Sequence, residues 1–319
     1  MKKILLIILC VPLLFAVSAC RSNENGDNGG SGGGAYGGET NLINIVQSLR
    51  TNGMTSWWEI VAVYNAMQNP LDFRGFDEII DSLEGGGTTL SRAAYVIVTN
   101  ISVVIGADPE YFEEYDNYKG ILRQVLANPG SGNINDYIFA YLALKTAGED
   151  FDETPVREHL ERLQLPDGGF ALSGDTGDPD MTAMAMNALM LMAYDSESET
   201  VEVPLSVTNA VAFLQNSMNE DGTFTSWGNP NANSTATVLS ALSAHHGIAA
   251  VGQEGIIQQV QTGLALFEAG GGYAFLLGGE RDPLATAQGA IALGDMQNGT
   301  NVWLKLYGDW HFFVADWYW

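Results

Sequence analysis

Two carboxylates flank one proline in Asp178-Pro179-Asp180, immediately ahead of an almost wholly apolar stretch from Met181 to Tyr194. Acids at this spacing suit a helix start. Asp178 fits an N-cap whose oxygen accepts a first-turn N–H, with Pro179 at the first helical position. Asp180 then complements the helix dipole, a setting that favours its ionised form. The chemical alternatives are a ligand contact or proton donation by Asp180, or a cation site from Asp175, Asp178 and Asp180, which lack EF-hand spacing. His245-His246 has no third ligand at a metal spacing and reads as a helix-terminal partner. Met181, Met184, Met186, Met190 and Met192 read as core filler that can adapt around a ligand. Cysteine occurs only at positions 10 and 20, and no nucleotide loop, serine nucleophile elbow or zincin helix is present. No metal and no cofactor is implied.

The elements that must position these residues form a repeat. Aligning Leu142-Ala143-Leu144, Asn187-Ala188-Leu189, Ser240-Ala241-Leu242 and Ile291-Ala292-Leu293 brings Asn133, Asp178, Asn231 and Asp282 to one shared N-cap position, at spacings of 45, 53 and 51 residues. Looser copies begin near Ser56 and Thr88, which makes six. Such a period signals stacked supersecondary units. The helices after these caps are apolar nearly all round and therefore buried on every side. Those before them carry one apolar stripe: Leu42, Val46, Leu49; Phe76, Ile79, Ile80, Leu83; Ile121, Leu122, Val125; Val156, Leu160, Leu163; Val207, Val211, Leu214; and Ile256, Ile257, Val260, Leu264, Phe267. Six half-exposed helices alternating with six buried ones predict an all-α fold, an (α/α)6 toroid of six helical hairpins in two concentric rings over residues 41–295. An open solenoid is the rival arrangement.

Gln164-Leu165-Pro166-Asp167-Gly168-Gly169-Phe170, followed by Gly177-Asp178-Pro179-Asp180-Met181-Thr182-Ala183, resembles the prenyltransferase and squalene-oxidase repeat of the terpenoid cyclase and protein prenyltransferase superfamily. Phe170 stands where tryptophan is usual, and looser copies occur at Asp221-Gly222-Thr223-Phe224 and Gly271-Gly272-Tyr273. The resemblance implies the six-hairpin toroid. Of its activities, prenyl transfer and thioester chemistry need cysteines that the body of the chain lacks. A class II, squalene-hopene-like cyclase would use Asp180 as its acid, but Met181 replaces the third acid of the family's motif, and such enzymes are built as two barrels.

Six inner-helix N-termini converging on one mouth would direct free N–H groups at a bound acceptor. Trp57, Trp58, Asn135, Tyr137, Asp180, Trp227 and Asn233 lie near those ends and are the candidate ligand-binding residues. The reading of the sequence is a protein, more a binder than an enzyme, that holds a small apolar or amphipathic ligand or a partner there. The cyclase and a non-catalytic structural surface module are the alternatives. A corrinoid is compatible with the superfamily, although the β domain of its cobalamin carriers is absent. The aromatic-rich tail, residues 296–319, is expected to close the last gap of the ring or to pair as a hairpin after Asn298-Gly299, with an exposed binding patch as a further option.

Composition bounds the partners. Lys and Arg number 13 against 38 Asp and Glu, a formal charge of -25 in 319 residues, which excludes duplex nucleic acid as a partner. Lys2 and Lys3 precede an apolar run ending in Val17-Ser18-Ala19-Cys20. The run is too short to cross the roughly 30 Å hydrocarbon layer comfortably and right for a signal segment. Residues 1–19 therefore read as a lipoprotein signal peptide, Cys20 as the lipidated residue, and residues 20–40, with eight glycines between Arg21 and Thr40, as a flexible tether. The expectation is an extracytoplasmic monomer anchored to a bacterial membrane through Cys20.

Overall fold

Every one of the six marked positions starts a largely buried helix. The computed structural model describes residues 37–128, 130, 132–195, 200–249 and 254–317. Cys20, the leader and all but the end of the expected tether lie outside them. The helical pairs, in chain order, are α1 (Gly37–Asn52) with α2 (Trp57–Asn65), α3 (Phe76–Glu84) with α4 (Thr89–Val104), and α5 (Tyr115–Ala127) with α6 (Ile134–Thr146). They continue with α7 (Thr154–Arg162) and α8 (Pro179–Ala193), α9 (Leu205–Ser217) and α10 (Ala232–Ala249), and α11 (Glu254–Ala265) and α12 (Pro283–Asn298). A last helix, α13 (Val302–Trp317), follows.

The even-numbered helices form the inner ring. Each packs on the next from α2 to α12, and α12 packs back on α2, so the ring closes and the open solenoid is set aside. At the seam, Asn65 Nδ2 of α2 donates to the Ile291 carbonyl at 2.9 Å and to Asp295 Oδ1 at 2.8 Å on α12. The odd-numbered helices lie outside, one stripe inward: Leu42, Leu49, Phe76, Ile79, Leu122, Val156, Leu160, Val207, Leu214, Val260 and Leu264 are buried. The stripe differs at several positions: Val46, Ile80, Ile121, Val125 and Ile256 are half-buried, and Ile45 is buried in the place expected of Val46. Leu163 falls just past the end of α7 and is exposed, and Leu126 takes the buried place expected of Val125.

The caps explain why the inner helices start where they do. Thr88, Asn133, Asp178, Asn231 and Asp282 each accept the N–H three residues on, at 2.8–3.1 Å, while the Ser56 N–H donates to the Glu59 carboxylate. Three repeats share a further device. The N–H groups of Phe170, Phe224 and Tyr273 donate to the hydroxyls of Thr182, Thr235 and Thr286. Their carbonyls accept from the N-cap N–H groups of Asp178, Asn231 and Asp282, and the three rings are fully buried. The preceding turn requires glycine: Gly168 and Gly222 have φ near +88° and +82°, and a Cβ would lie 2.7 Å from the Asn209 carbonyl oxygen and 2.0 Å from that of Gln259.

Short hairpins decorate the ends: β1 (Tyr194–Asp195) with β2 (Thr200–Val201), β3 (Thr225–Ser226) with β4 (Asn229–Pro230), and β5 (Glu268–Ala269) with β6 (Gly272–Tyr273). The tail departs from expectation. Gly299, with φ +63°, is the C-cap of α12, and the residues after it form α13, which neither fills a gap nor pairs as strands. α13 packs on α4, α6, α8 and α12. Tyr307 meets Tyr194 just past α8 and Lys145 near the end of α6, so α13 covers the C-terminal end of the ring.

Candidate active site

The space inside the ring is nearly filled. Trp57 and Trp58 stack with ring centres 4.1 Å apart, both meet Phe139 edge-on at 5.8 and 5.7 Å, and Trp58 and Phe139 each meet Trp303. The void that Trp58, Phe139 and Trp303 leave with Asn187, Ser240 and Gln288 is about 30 Å³, room for about one water. Trp57 and Trp58 therefore act as packing in the lumen. Tyr137 is also placed elsewhere: fully buried, it donates to the Leu126 carbonyl at 3.4 Å and packs on the His159 ring.

An open space lies at the N-terminal end of the ring, in a cavity of about 340 Å³; another, of about 320 Å³, lies among Arg123, Leu126, Phe151 and Val156. In the first, Asn135 of α6 lines one side; Asp178, Asp180, Met181 and Met184 at the start of α8 line the floor; Ala171, Leu172, Ser173, Thr176 and Gly177 form a loop wall; and Trp227 closes the rim. Of the expected ligand-binding residues, this cavity gathers Asn135, Asp180 and Trp227. Asn233 stands at the start of α10, beside Ser234. Its Oδ1, like Asn135 Oδ1 and Asp180 Oδ1, is buried without a hydrogen-bond partner. Leu172, Ser173 and Thr176 were not anticipated. Their signal was position, since the segment between each motif aromatic and the next N-cap runs along this end of the ring.

Asp178 and Asp180 have separated roles. Asp178 Oδ1 accepts the Met181 N–H at 3.1 Å and its Oδ2 accepts the Ser226 hydroxyl, so its carboxylate is committed to the cap and to the β3–β4 hairpin. Asp180 is pushed up to about 7, first by burial and then by the Asp178 charge, with the Ser234 hydroxyl opposing. This reverses the expectation of an ionised Asp180, because desolvation outweighs the attraction of the helix end. The result is a carboxylic acid that holds its proton near neutral pH and has one oxygen free of protein partners. Among the described residues, no group of three His, Cys, Asp or Glu side chains is placed to hold a metal ion.

Trp227 is held out over this acid by a strained turn. It and Gly228 are the two loop residues joining β3 to β4, with φ of +55° and +87°. Positive φ at both positions suits Asn-Gly or Gly-Gly, and a tryptophan there costs roughly 1–2 kcal/mol. Its side chain is not repaid by burial, for the residue is 79% exposed. Strain without packing makes Trp227 a candidate for a functional role.

No sequence-family model and no curated protein matches this chain. Among solved structures, it is similar to a possible member of the GH105 family from Salmonella enterica subsp. enterica serovar Paratyphi A str. ATCC 9150, with a TM-score of 0.57 and 10% identity over 82% of this chain and 94% of that one. It is similar also to a possible GH105 member from Klebsiella pneumoniae subsp. pneumoniae MGH 78578, with a TM-score of 0.56 and 11% identity over 87% and 96% of the two chains. At this identity the likeness is one of fold. It overturns the kinship with terpenoid cyclases and prenyltransferases, and with it the Asp180-dependent cyclase, the apolar-ligand binder, the structural module and the leaning away from an enzyme. The physical reason is that glycine-aromatic turns and six-hairpin periodicity are requirements of the toroid, which unrelated activities share. What the comparison establishes for this chain is an α/α toroid like those of possible GH105 proteins.

Proposed function

We propose that this protein is a glycoside hydrolase whose general acid is Asp180. The observation that carries the proposal is a carboxylic acid, neutral up to about pH 7, with an unpartnered oxygen on a sugar-sized cavity under an exposed tryptophan. The fold likeness to proteins described as possible GH105 members supports it. A pyranose stacked on Trp227 would present its glycosidic oxygen to Asp180. The acid gives its proton to that oxygen, the carbon–oxygen bond breaks with its electron pair passing to the leaving alcohol, and water adds at the anomeric carbon, returning a proton to Asp180. Asp178 is a positioning residue here: its charge keeps the proton on Asp180 and its cap fixes the first turn.

The test is release of reducing sugar by the purified full-length protein from a panel of oligosaccharides. Hydrolysis that falls off above about pH 7 and is lost in Asp180→Asn is expected. A panel left intact by the wild-type protein, or an Asp180→Asn variant of undiminished rate, would overturn the assignment.

A further inference from the structure

Two side-chain oxygens beside the cavity have no hydrogen-bond partner. Asn135 Oδ1 and Asp180 Oδ1 are buried without partners, and the Asp178 carboxylate is already engaged with the Met181 N–H and the Ser226 hydroxyl. No Lys, Arg or His is among the described residues lining this space. The whole chain carries a formal charge of -25, so the long-range field also repels anions. Buried acceptors are stabilised by donors, and a sugar hydroxyl is a donor. A uronate carboxylate is only an acceptor; it would meet the Asp178 charge and leave Asn135 Oδ1 without a donor, with no cation to offset its own charge.

From this geometry we infer that the cavity selects uncharged sugars, a neutral hexose, pentose or deoxyhexose residue, and rejects uronates. The three elements divide the task. Trp227 covers the apolar face of the ring, Asn135 accepts from a hydroxyl while Asp180 donates to the glycosidic oxygen, and the lack of a cation does the discriminating. Hydroxymethyl and carboxylate groups are similar in size, so charge and donor capacity separate glucoside from glucuronide here.

The inference rests on the hydrolase reading for turnover, and on the cavity alone for binding, so the two can fail separately. The experiment uses the full-length protein with matched 4-nitrophenyl glucosides and glucuronides, both anomers of each, read by nitrophenolate release and by quenching of tryptophan fluorescence. The expected result is a neutral-over-uronate preference of at least tenfold, lost with Trp227→Ala and narrowed by Ser173→Arg, which sets a cation on the exposed loop wall. Equal or better handling of the glucuronides would overturn the sugar class while leaving the hydrolase standing. Trp227-dependent binding of the glucosides without cleavage of any member would uphold the sugar class and count against the hydrolase. Absence of both quenching and cleavage for all four compounds would overturn both.

Discussion

Asp180 and Asp295 are both carboxyls lifted far above their ordinary range by burial, one at the N-terminal end of the inner ring and the other near its C-terminal end. Asp295 is pushed up to about 8, with Ser240, Asn65 and the Val302 N–H opposing. Its two oxygens are filled: Asn65 Nδ2 donates to Oδ1 at 2.8 Å and the Ser240 hydroxyl to Oδ2 at 2.5 Å. That network ties α2, α10 and α12 together beneath α13. Asp180 has a comparable shift, but it lines the cavity and one of its oxygens is buried without a partner. A raised carboxyl alone therefore does not identify an active acid. Its hydrogen bonds decide whether the proton serves structure or is available to a substrate.

The contrast can be broken by exchanging the amide for the acid at each end. Asp180→Asn should lower kcat at least about 100-fold while leaving the melting temperature unchanged near pH 3 and raised at pH 7, because the wild type loses stability as pH rises from about 4 through about 7. A loss of stability in place of activity would make Asp180 a structural residue. Asp295→Ala should do the converse, costing about 3 kcal/mol by stranding Asn65 and Ser240 without partners; chemical denaturation measures this. For Asp295 the fold favours the neutral form, so the wild type loses stability as pH rises from about 4 through about 8. Asp295→Asn should remove that part of the slope, and a parallel slope in the variant would contradict the assignment.

The mouth can be sharpened further at its strained turn. Trp227→Asn supplies the residue that the β3–β4 loop prefers and should raise stability by about 1 kcal/mol. The same change should raise KM for a neutral glycoside roughly tenfold through lost stacking area. A more stable protein with an unchanged KM would leave Trp227 without a role in binding. The smallest effect belongs to Asp178→Asn, which keeps the cap because Asn is an equally good N-cap and removes the charge that helps hold the Asp180 proton. The alkaline limb of kcat/KM should move to lower pH, and an unmoved limb would show that burial alone sets Asp180.

Much of this arrangement was legible in the chain because it depends on local chemistry. Caps at Asn133, Asp178, Asn231 and Asp282, the apolar inner helices and the glycine-aromatic turns each follow from backbone and burial requirements, and together they specify the toroid. The site was legible only in part. Repeat alignment shows which residues stand near a helix start, so it brought forward Trp58, Asn135, Asp180 and Asn233 together. It does not show which way each points around the ring, and Trp58 turns into the lumen while Asn135 and Asp180 face the mouth cavity. Tyr137, two positions beyond Asn135, reaches outward to α5. The protonation of Asp180 was misjudged for a related reason, since the helix dipole is readable from sequence and the burial that overrides it is not. The choice of activity was furthest from reach, because the residues that signal a toroid are those that build its turns.

The most direct test of the account is carbon-13 NMR of the full-length protein labelled at aspartate side-chain carboxyls, with Asp180→Asn used to assign the Asp180 signal and the sample titrated from pH 3 to pH 9. The account predicts that this carboxyl titrates near pH 7. Titration of the same signal near pH 4, the ordinary aspartate range, would contradict it, because an acid ionised at neutral pH has no proton to give.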